Sequence, residues 1–316
     1  MPQKTEKLGR VLITGGTGFI GSNLVRNLTA SGSAARIAVL DNEVLGNRSV
    51  LDGYDVEFIH GDIRDETTVR DAVKRSDTIV HLAADTRVMD SIENPAFNYE
   101  NNVLGSVNLL LAMREFGVAR LVNASTGGAI LGEVPPPVHE DMVPRPLSPY
   151  GAAKLAVEGY CSAFAASYGL KIVSLRFSNV YGPLSFHKGS VVAAFLRNIM
   201  AGKPVTIYGD GSQIRDYVYV NDLCNGIVAA LNSGVDGIYQ LGTGIPTTLN
   251  ELVVKMRDVT GHNNPFEVIY EDSRKGEIKD TYCNIDKARD AFGFNPDTSL
   301  PEGLTNTWNW FLDQRS

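Results

Sequence analysis

A tyrosine and a lysine four residues apart, Tyr150 and Lys154, are candidates for acid–base chemistry. On a helix this spacing places both side chains on one face. A free phenol has a pKa of about 10 and is a weak base at neutral pH, but a fixed positive charge beside it favours the phenolate. The pair therefore predicts a tyrosine that exchanges a proton near pH 7, although chance also supplies this spacing often.

A glycine-rich turn is the second candidate feature. Gly15, Gly18 and Gly21 follow one apolar run and open a helical pattern. Glycines allow a tight turn and close approach of the backbone to a pyrophosphate, while the helix N-terminus supplies amide donors. Asp41 ends the next apolar run, where a carboxylate binds the ribose hydroxyls of NAD and repels the 2′-phosphate of NADP. The pattern predicts NAD, and Arg48 downstream softens that preference.

Three further segments follow predicted strands, whose carboxyl ends face the ligand crevice of a doubly wound sheet. Asp62 could contact adenine or belong to a capped turn. The small residues of Leu82–Ala84 could let a cofactor lie against the backbone or could simply pack closely. Ser125 and Thr126 could relay a substrate proton beside Tyr150 or cap a turn.

The elements that must position these residues alternate between buried strands and helices, which predicts an α/β fold with a Rossmann-type, doubly wound parallel sheet. The predicted strands are Val11–Thr14, Ile37–Leu40, Val56–His60, Thr78–Leu82, Leu121–Ala124 and Ile172–Phe177. The predicted helices are Ser22–Ala30, Thr67–Arg75, Tyr99–Phe116 and Pro149–Tyr168.

After Gly182-Pro183 the predicted strands become short and are separated by glycine turns. This change predicts a smaller C-terminal α/β lobe that binds substrate and closes over the strand ends. We expect an NAD-binding domain of residues 1–180, on which part of 221–245 also packs, and a substrate lobe of 181–316. The predicted short strands are Val205–Tyr208, Asp216–Val220 and Gly237–Gly242, and the predicted helices are Thr248–Val259 and Pro301–Leu312.

Composition limits the class of protein. The chain has 316 residues, 43% of them hydrophobic, and a net charge of −7, which argues against nucleic-acid and anionic-membrane partners. Its three cysteines are widely separated and fit a reducing cytosol. No histidine has ligand spacing, so we expect no metal site. The polar start and the absence of a long apolar stretch predict a cytoplasmic protein.

Two predicted helices carry apolar or small residues on more than one face, namely Asn102–Phe116 and Leu155–Ala166. Each must bury one face on the sheet and another elsewhere. A homodimer formed by these helices explains the pattern, and a tightly covered monomer is the alternative.

Together these motifs make the chain similar, over essentially its whole length, to the extended short-chain dehydrogenase/reductases. Within them it resembles the nucleotide-sugar epimerases and dehydratases, most of all the UDP-glucose 4-epimerases. Further motifs that carry the resemblance are Arg176–Pro183, Tyr208–Val220 and Arg274–Glu277. The resemblance implies NAD contacts by Gly15, Gly18, Phe19, Ile20, Gly21, Asp41, Asn42, Asp62, Ile63, Leu82, Ala83, Ala84, Asn102, Tyr150, Lys154 and Phe177.

The resemblance also implies roles at the substrate. Tyr150 is the expected base, Lys154 binds the nicotinamide ribose and lowers the pKa of Tyr150, and Thr126 or Ser125 contacts the sugar 4-hydroxyl. Two arginines are expected at the diphosphate of a UDP-sugar, with other residues at the phosphate, uracil, ribose and sugar. The implied substrate set is Thr126, Asn179, Val191, Thr206, Tyr208, Arg215, Arg274, Glu277 and Thr281, and Arg87 is a further candidate that departs from the family pattern.

The residues after Thr126 favour one reaction of this family. The 4,6-dehydratases carry an Asp-Glu pair there, whereas this chain has Gly127-Gly128, so we expect epimerisation at C4. Alternatives are a 4,6-dehydratase, a UDP-glucuronate epimerase or decarboxylase, and a non-enzymatic NAD-binding protein. The small Thr281 is expected to leave room for N-acetylhexosamines, whereas Arg87 could read an anionic group or be a solvated loop residue.

Overall fold

The computed structural model describes residues 8–261, 264–273 and 278–314. The strands are β1 (Leu8–Thr14), β2 (Ala34–Asp41), β3 (Val56–His60), β4 (Thr78–His81), β5 (Arg120–Thr126), β6 (Lys171–Phe177), β7 (Asn179–Tyr181), β8 (Val205–Tyr208), β9 (Ile214–Arg215), β10 (Tyr217–Tyr219), β11 (Gly237–Leu241), β12 (Thr247–Thr248) and β13 (Val268–Glu271). The α-helices are α1 (Phe19–Ser31), α2 (Glu66–Val73), α3 (Val88–Glu93), α4 (Pro95–Tyr99), α5 (Gly105–Phe116), α6 (Gly128–Leu131), α7 (Pro149–Tyr168), α8 (Val191–Met200), α9 (Val220–Ser233), α10 (Leu249–Thr260), α11 (Asp286–Phe292) and α12 (Leu300–Asp313). Among the described residues, no helix is both long and apolar enough to span a membrane.

The central sheet has seven parallel strands in the order β11-β6-β5-β4-β1-β2-β3. The strand order reverses between β1 and β4, and a crevice for ligands opens at such a point beyond the carboxyl ends of the strands. The predicted Rossmann-type doubly wound sheet is confirmed.

Helices cover both faces of this sheet. One core joins α1 and α9 to the sheet and includes Leu24, Leu28 and Ile227. The opposite core joins α2, α5 and α7 and includes Leu109 and Val157. Strands buried on both faces need apolar residues at successive positions, which is why the central strands could be read from short apolar runs. Strand β11 pairs with β6, so residues after 220 return to the large sheet.

The small lobe consists of short strand pairs and helices around a separate core. Strands β7 and β10, β8 and β13, and β9 and β12 form the pairs. Helices α8, α10 and α12 contribute Leu196, Leu252 and Phe311 to the core. Predicted strand Asp216–Val220 is observed as β10, and the two predicted C-terminal helices are α10 and α12. Helices α8, α9 and α11 lie outside the predicted elements.

The predicted single helix Tyr99–Phe116 is wrong at its beginning. Helix α4 is followed by a π-helical turn, Glu100–Leu104, before α5 begins at Gly105. Two contacts accompany this change. Asn102 bonds the loop after β4, and a Cβ on Gly105 would lie 2.5 Å from Cδ1 of Ile63. Single π turns inside helices occur frequently at functional sites.

Candidate active site

In the glycine turn after β1, the backbone lies directly against the backbone of the loop after β4 and of the turn itself. Gly15 has a φ of +72°, and a Cβ there would lie 2.7 Å from the Ala83 amide nitrogen. A Cβ on Gly21 would lie 2.3 Å from the Gly15 carbonyl oxygen. Gly18 is the N-cap of α1 and offers no side-chain hydrogen bond to the helix. Phe19 and Ile20 begin the helix, and no side chain of the cap accepts from its first amides. Only glycine fits this turn, and its amides suit a diphosphate.

Asp41 ends β2 beside this turn with a fixed carboxylate. Its Oδ2 accepts from the Thr17 amide at 3.0 Å, and its Oδ1 accepts from the Glu43 amide at 2.8 Å. Both oxygens of the Asp41 carboxylate are therefore held in place beside the glycine turn. The assignment of Asp41 to the NAD ribose stays a prediction.

Asp62 and Asn42 meet at the ends of neighbouring strands, where Asn42 Nδ2 donates to Asp62 Oδ2 at 2.9 Å. Arg64 Nε and Nη2 donate to the two Asp62 oxygens at 3.0 and 2.8 Å. These bonds lower the pKa of Asp62 to about 2, so its carboxylate stays ionised. Ile63 is buried in the core of that face. Sequence reasoning missed Arg64, for which no motif gives a signal.

Asn102 fixes the loop that follows β4. Its Oδ1 accepts from the Asp85 amide and its Nδ2 donates to the Asp85 carbonyl, both at 2.8 Å. The amide therefore positions the Leu82–Ala84 wall of the crevice through Asp85.

Tyr150 and Lys154 lie in the first two turns of α7, whose N-terminus is capped by Ser148. The Thr126 hydroxyl at the end of β5 faces the Tyr150 phenol and acts to lower its pKa. Lys154 is buried, and its Nζ donates to the Ala124 carbonyl at 2.9 Å. The structure thus brings Tyr150, Lys154 and Thr126 together.

Burial controls the proton affinities of this pair. It raises the pKa of Tyr150 to about 12, and the bond from Thr126 opposes this only in part. Burial also lowers the pKa of Lys154 to about 8. Desolvation of the phenol is the largest influence on the pKa of Tyr150, and the Lys154 ammonium is bonded to the Ala124 carbonyl. The expectation that Lys154 lowers the pKa of Tyr150 stays a prediction.

Ser125 points away from Tyr150. Its Oγ donates to Glu158 Oε1 at 2.6 Å, inside the protein. Glu158 forms a buried bidentate ion pair with Arg176, at 2.9 and 2.7 Å. Successive side chains of a strand face opposite sides, so the neighbouring Thr126 faces the crevice. Glu158 was missed by sequence reasoning, although it lies one helical turn after Lys154.

The glycine pair after Thr126 presents backbone without side chains to Gln240 and Thr281. A Cβ on Gly127 would lie 2.6 Å from Oε1 of Gln240, and a Cβ on Gly128 would lie 3.4 Å from Oγ1 of Thr281. Thr281 is held there by its amide, which donates to the Ile214 carbonyl at 3.0 Å. The structure thus brings Thr281 from the small lobe to the predicted catalytic loop, and it adds Gln240, which no sequence pattern indicated.

Two of the residues predicted at phosphate lie on short strands, Arg215 at the end of β9 and Asn179 at the start of β7. Arg215 Nη1 donates to the Lys279 carbonyl at 2.6 Å, and its Nη2 donates to the Ile278 carbonyl at 2.8 Å. Asn179 is exposed and its Nδ2 donates to the Asp216 carbonyl at 3.2 Å. The predicted residues Arg274 and Glu277 lie outside the described residues.

The remaining predicted residues lie in the loop before α3, on α8, on β8 and at the end of β6. Arg87 is 61% exposed and paired with Asp90 at 3.0 Å, as a solvated loop arginine is. Val191 begins α8, and Thr206 and Tyr208 lie on β8, all three partly buried. Phe177 ends β6, where its carbonyl accepts from the Gly127 amide at 3.4 Å.

Comparison with known proteins identifies the family. The NAD dependent epimerase/dehydratase family matches residues 11–242. A putative UDP-glucose 4-epimerase of Methanocaldococcus jannaschii is 37% identical over 306 residues, covering 95% of this chain and 97% of that protein. The UDP-glucose 4-epimerase of Thermotoga maritima, solved with UDP-glucose, has a TM-score of 0.92 and 36% identity, covering 97% of this chain and 100% of that one. The UDP-glucose 4-epimerase of Thermus thermophilus, solved with NAD, has a TM-score of 0.89 and 41% identity, covering 96% of this chain and 99% of that one. This chain therefore belongs to the NAD-dependent epimerase/dehydratase family.

Proposed function

We propose that this protein is an NAD-dependent isomerase that inverts C4 of a UDP-hexose, with UDP-glucose and UDP-galactose as substrates. The observation that carries the proposal is the Tyr150–Thr126 pair beside the glycine turn, followed by Gly127-Gly128 in place of carboxylates. Relatives named UDP-glucose 4-epimerase cover nearly the whole chain and support the same reaction.

The cofactor site fits NAD because the Gly15 and Gly21 backbones leave no room for side chains and Asp41 is oriented beside them. NAD supplies the acceptor and the donor of hydride at C4. Thr126 would bond the sugar O4, and Tyr150 would remove its proton as C4 becomes a ketone. After the keto sugar turns over, Tyr150 would return the proton to O4 on the other face.

The pKa values of Tyr150 and Lys154 indicate a different role for each residue. A phenol whose pKa is raised to about 12 is a weaker acid but stays protonated at neutral pH, so Tyr150 holds the proton that the return step needs. Removing the O4 proton instead needs positive charge nearby. Lys154, whose pKa is about 8, still carries that charge at pH 7.

A dehydratase would need an additional acid and base to eliminate water across C5 and C6. Gly127 and Gly128 offer neither, and the next three residues, which complete α6, are apolar. The geometry therefore favours epimerisation. We propose that Arg215 and Arg274 bind the substrate diphosphate, with Asn179 at phosphate, Tyr208 at uracil and Glu277 at ribose.

The experiment is incubation with UDP-glucose, UDP-glucuronate, UDP-N-acetylglucosamine and dTDP-glucose, followed by NMR of the anomeric proton and mass spectrometry. Epimerisation conserves mass, whereas dehydration loses water and decarboxylation loses carbon dioxide. Tyr150→Phe should abolish turnover and leave NAD bound. A mass loss in the product, or substantial turnover by Tyr150→Phe, would contradict the proposal.

We further propose that Thr281 lets the site accept UDP-N-acetylhexosamines. Thr281 lies against Gly128 at the catalytic loop, where a larger side chain would fill space beside the sugar. Thr281→Tyr should reduce kcat/KM for UDP-N-acetylglucosamine by about tenfold or more relative to UDP-glucose. Thr281→Ser, which keeps the size small, is the control. Equal loss on both substrates in Thr281→Tyr would contradict this assignment.

We propose a cytoplasmic homodimer as the functional assembly, with a 1–180 NAD-binding domain and a 181–316 substrate lobe. The cysteines are free and buried, as suits a reducing compartment. Exposed apolar side chains on α5 and α7 support a dimer through these helices: Leu104, at the end of the π turn, and Leu111, Tyr160 and Tyr168.

A further inference from the structure

A lysine of the loop between β7 and α8 reaches the glycine turn of the large sheet. The Nζ of Lys188 lies 5.6 Å from the centre of the Phe19 ring. Phe19 is the first residue of α1 and follows the Gly18 cap directly. The ammonium of Lys188 therefore lies over the side chain of the first residue of α1, the end of the helix at which backbone amides point outward.

Hydrogen bonds at several points fix this loop. Arg197 Nη1 donates to the Lys188 carbonyl at 2.7 Å, and it also bonds the Phe186 carbonyl. The Lys188 amide donates to the Ser185 carbonyl at 2.8 Å. On the other side, Asn23 of α1 donates to the Pro183 carbonyl at 2.9 Å. The loop is thus tied to both α8 and α1, and Lys188 is held across the crevice.

The positive charge of Lys188 has no negative charge beside it among the described residues. Burial lowers the pKa of its ammonium, and in the part of the chain that the structure describes no carboxylate pairs with it. The first turn of α1 contains no acidic residue, and its cap lacks a side-chain acceptor. A helix N-terminus carries partial positive charge, which repels a nearby ammonium. An anion between the two would relieve this repulsion.

We propose that Lys188 is a diphosphate-binding residue that closes the NAD site over the glycine turn. The inference rests on the proposed cofactor. A diphosphate is present in both NAD and a nucleotide sugar, and we assign Lys188 to that of NAD because its ammonium lies beside Phe19. A tightly retained cofactor then depends on this loop as well as on the glycine turn.

The test compares wild type, Lys188→Met and Lys188→Arg as full-length proteins freed of nucleotide. The dissociation constants of NAD and of adenosine are measured by calorimetry, and that of UDP is measured with NAD present. Lys188→Met should weaken NAD binding on the order of tenfold or more, since charge-assisted bonds to phosphate are strong. Lys188→Arg should restore most of the affinity, and adenosine and UDP binding should not change. Lys203→Met, at an exposed lysine of the small lobe, is the matched control.

Other outcomes would overturn the assignment. Unchanged NAD affinity in Lys188→Met shows that the ammonium does not bind the cofactor. A loss confined to UDP assigns Lys188 to the nucleotide-sugar diphosphate instead. Equal losses for NAD and adenosine show a general disturbance of the pocket. Failure of the wild-type protein to bind NAD at all would count against the proposed function, and this result is distinct from the others.

Discussion

Two neighbouring hydroxyls at the end of β5 differ in what they contact. Thr126 faces the Tyr150 phenol, whereas the Ser125 hydroxyl is buried and donates to Glu158 Oε1 at 2.6 Å. Thr126 is therefore placed to bond a substrate oxygen, and Ser125 is placed to satisfy a buried carboxylate. The sequence alone leaves this choice open, because it depends on which side of the strand each residue faces.

This difference predicts opposite phenotypes. Thr126→Ala should reduce kcat by about 10²-fold, because the bond to O4 and Tyr150 is lost, and should leave NAD content unchanged. Ser125→Ala should keep most of the turnover but lower the free energy of unfolding by about 1–3 kcal/mol, because Glu158 loses a buried donor. Steady-state kinetics and denaturant unfolding distinguish the two variants. A larger loss of kcat in Ser125→Ala than in Thr126→Ala would reverse the assignment.

Sequence motifs located the candidate residues whose types the local backbone constrains strongly. Gly15, Gly21 and Asp41 sit where the pattern places them, since backbone approach and a strand end dictate their types. Lys188 and Glu158 were not predicted. Lys188 contacts Phe19 and Glu158 pairs with Arg176, and in each case the two residues lie on elements that are distant along the chain. A local sequence pattern cannot predict such contacts.

At the scale of elements, a buried histidine joins β4 to β1 and α5. His81 Nδ1 lies 2.7 Å from the Thr14 hydroxyl, and its Nε2 lies 2.8 Å from the Ser106 hydroxyl. Burial lowers its pKa to about 3, and the charge of Lys154 adds to this effect. The imidazole is therefore neutral in the folded protein at all physiological pH values.

A neutral buried histidine makes stability depend on pH. Because its pKa is about 6.5 when unfolded and about 3 when folded, the unfolded state binds more protons between these values. Stability should fall as pH falls from 6.5 towards 3, with His81 contributing about 1.4 kcal/mol per pH unit. His81→Gln should be less stable at pH 7 but should show a flatter slope, and the difference should approach that amount only below about pH 6. Urea unfolding from pH 7 to pH 5 measures both slopes. Equal slopes in both proteins would contradict this account.

The strands of the central sheet could be predicted from the sequence, whereas the π turn and the short strand pairs of the small lobe could not. Strands buried on both faces are recorded in the sequence as apolar runs, so β1 to β6 were recognised within a few residues of their ends. The π turn at Glu100–Leu104 was not recognised, because it accompanies the bonds of Asn102 to a distant loop. The two-stranded pairs of the small lobe likewise need partners that only the folded chain brings together.

At the scale of the whole molecule, one outer face joins α5 and α7. We define the α5–α7 face by Leu104, Leu111, Tyr160 and Tyr168, all exposed apolar side chains. Arg114 links the two helices, since its guanidinium carbon lies 5.1 Å from the centre of the Tyr168 ring. A two-helix face of this kind can pair with its own copy about a two-fold axis and bury both patches.

This face predicts a dimer that two introduced charges can dissociate. The wild-type protein should have twice the mass of one chain by light scattering after size-exclusion chromatography. Leu104→Glu combined with Leu111→Glu should be monomeric, because an unpaired carboxylate in an apolar interface costs several kcal/mol. Val254→Glu, at a side chain of α10 that is 56% exposed, should stay dimeric. All three should keep the same circular dichroism spectrum, since the substituted positions face solvent within one chain. A monomeric wild type, or a double variant that remains dimeric, would contradict the proposed assembly and favour a tightly covered monomer.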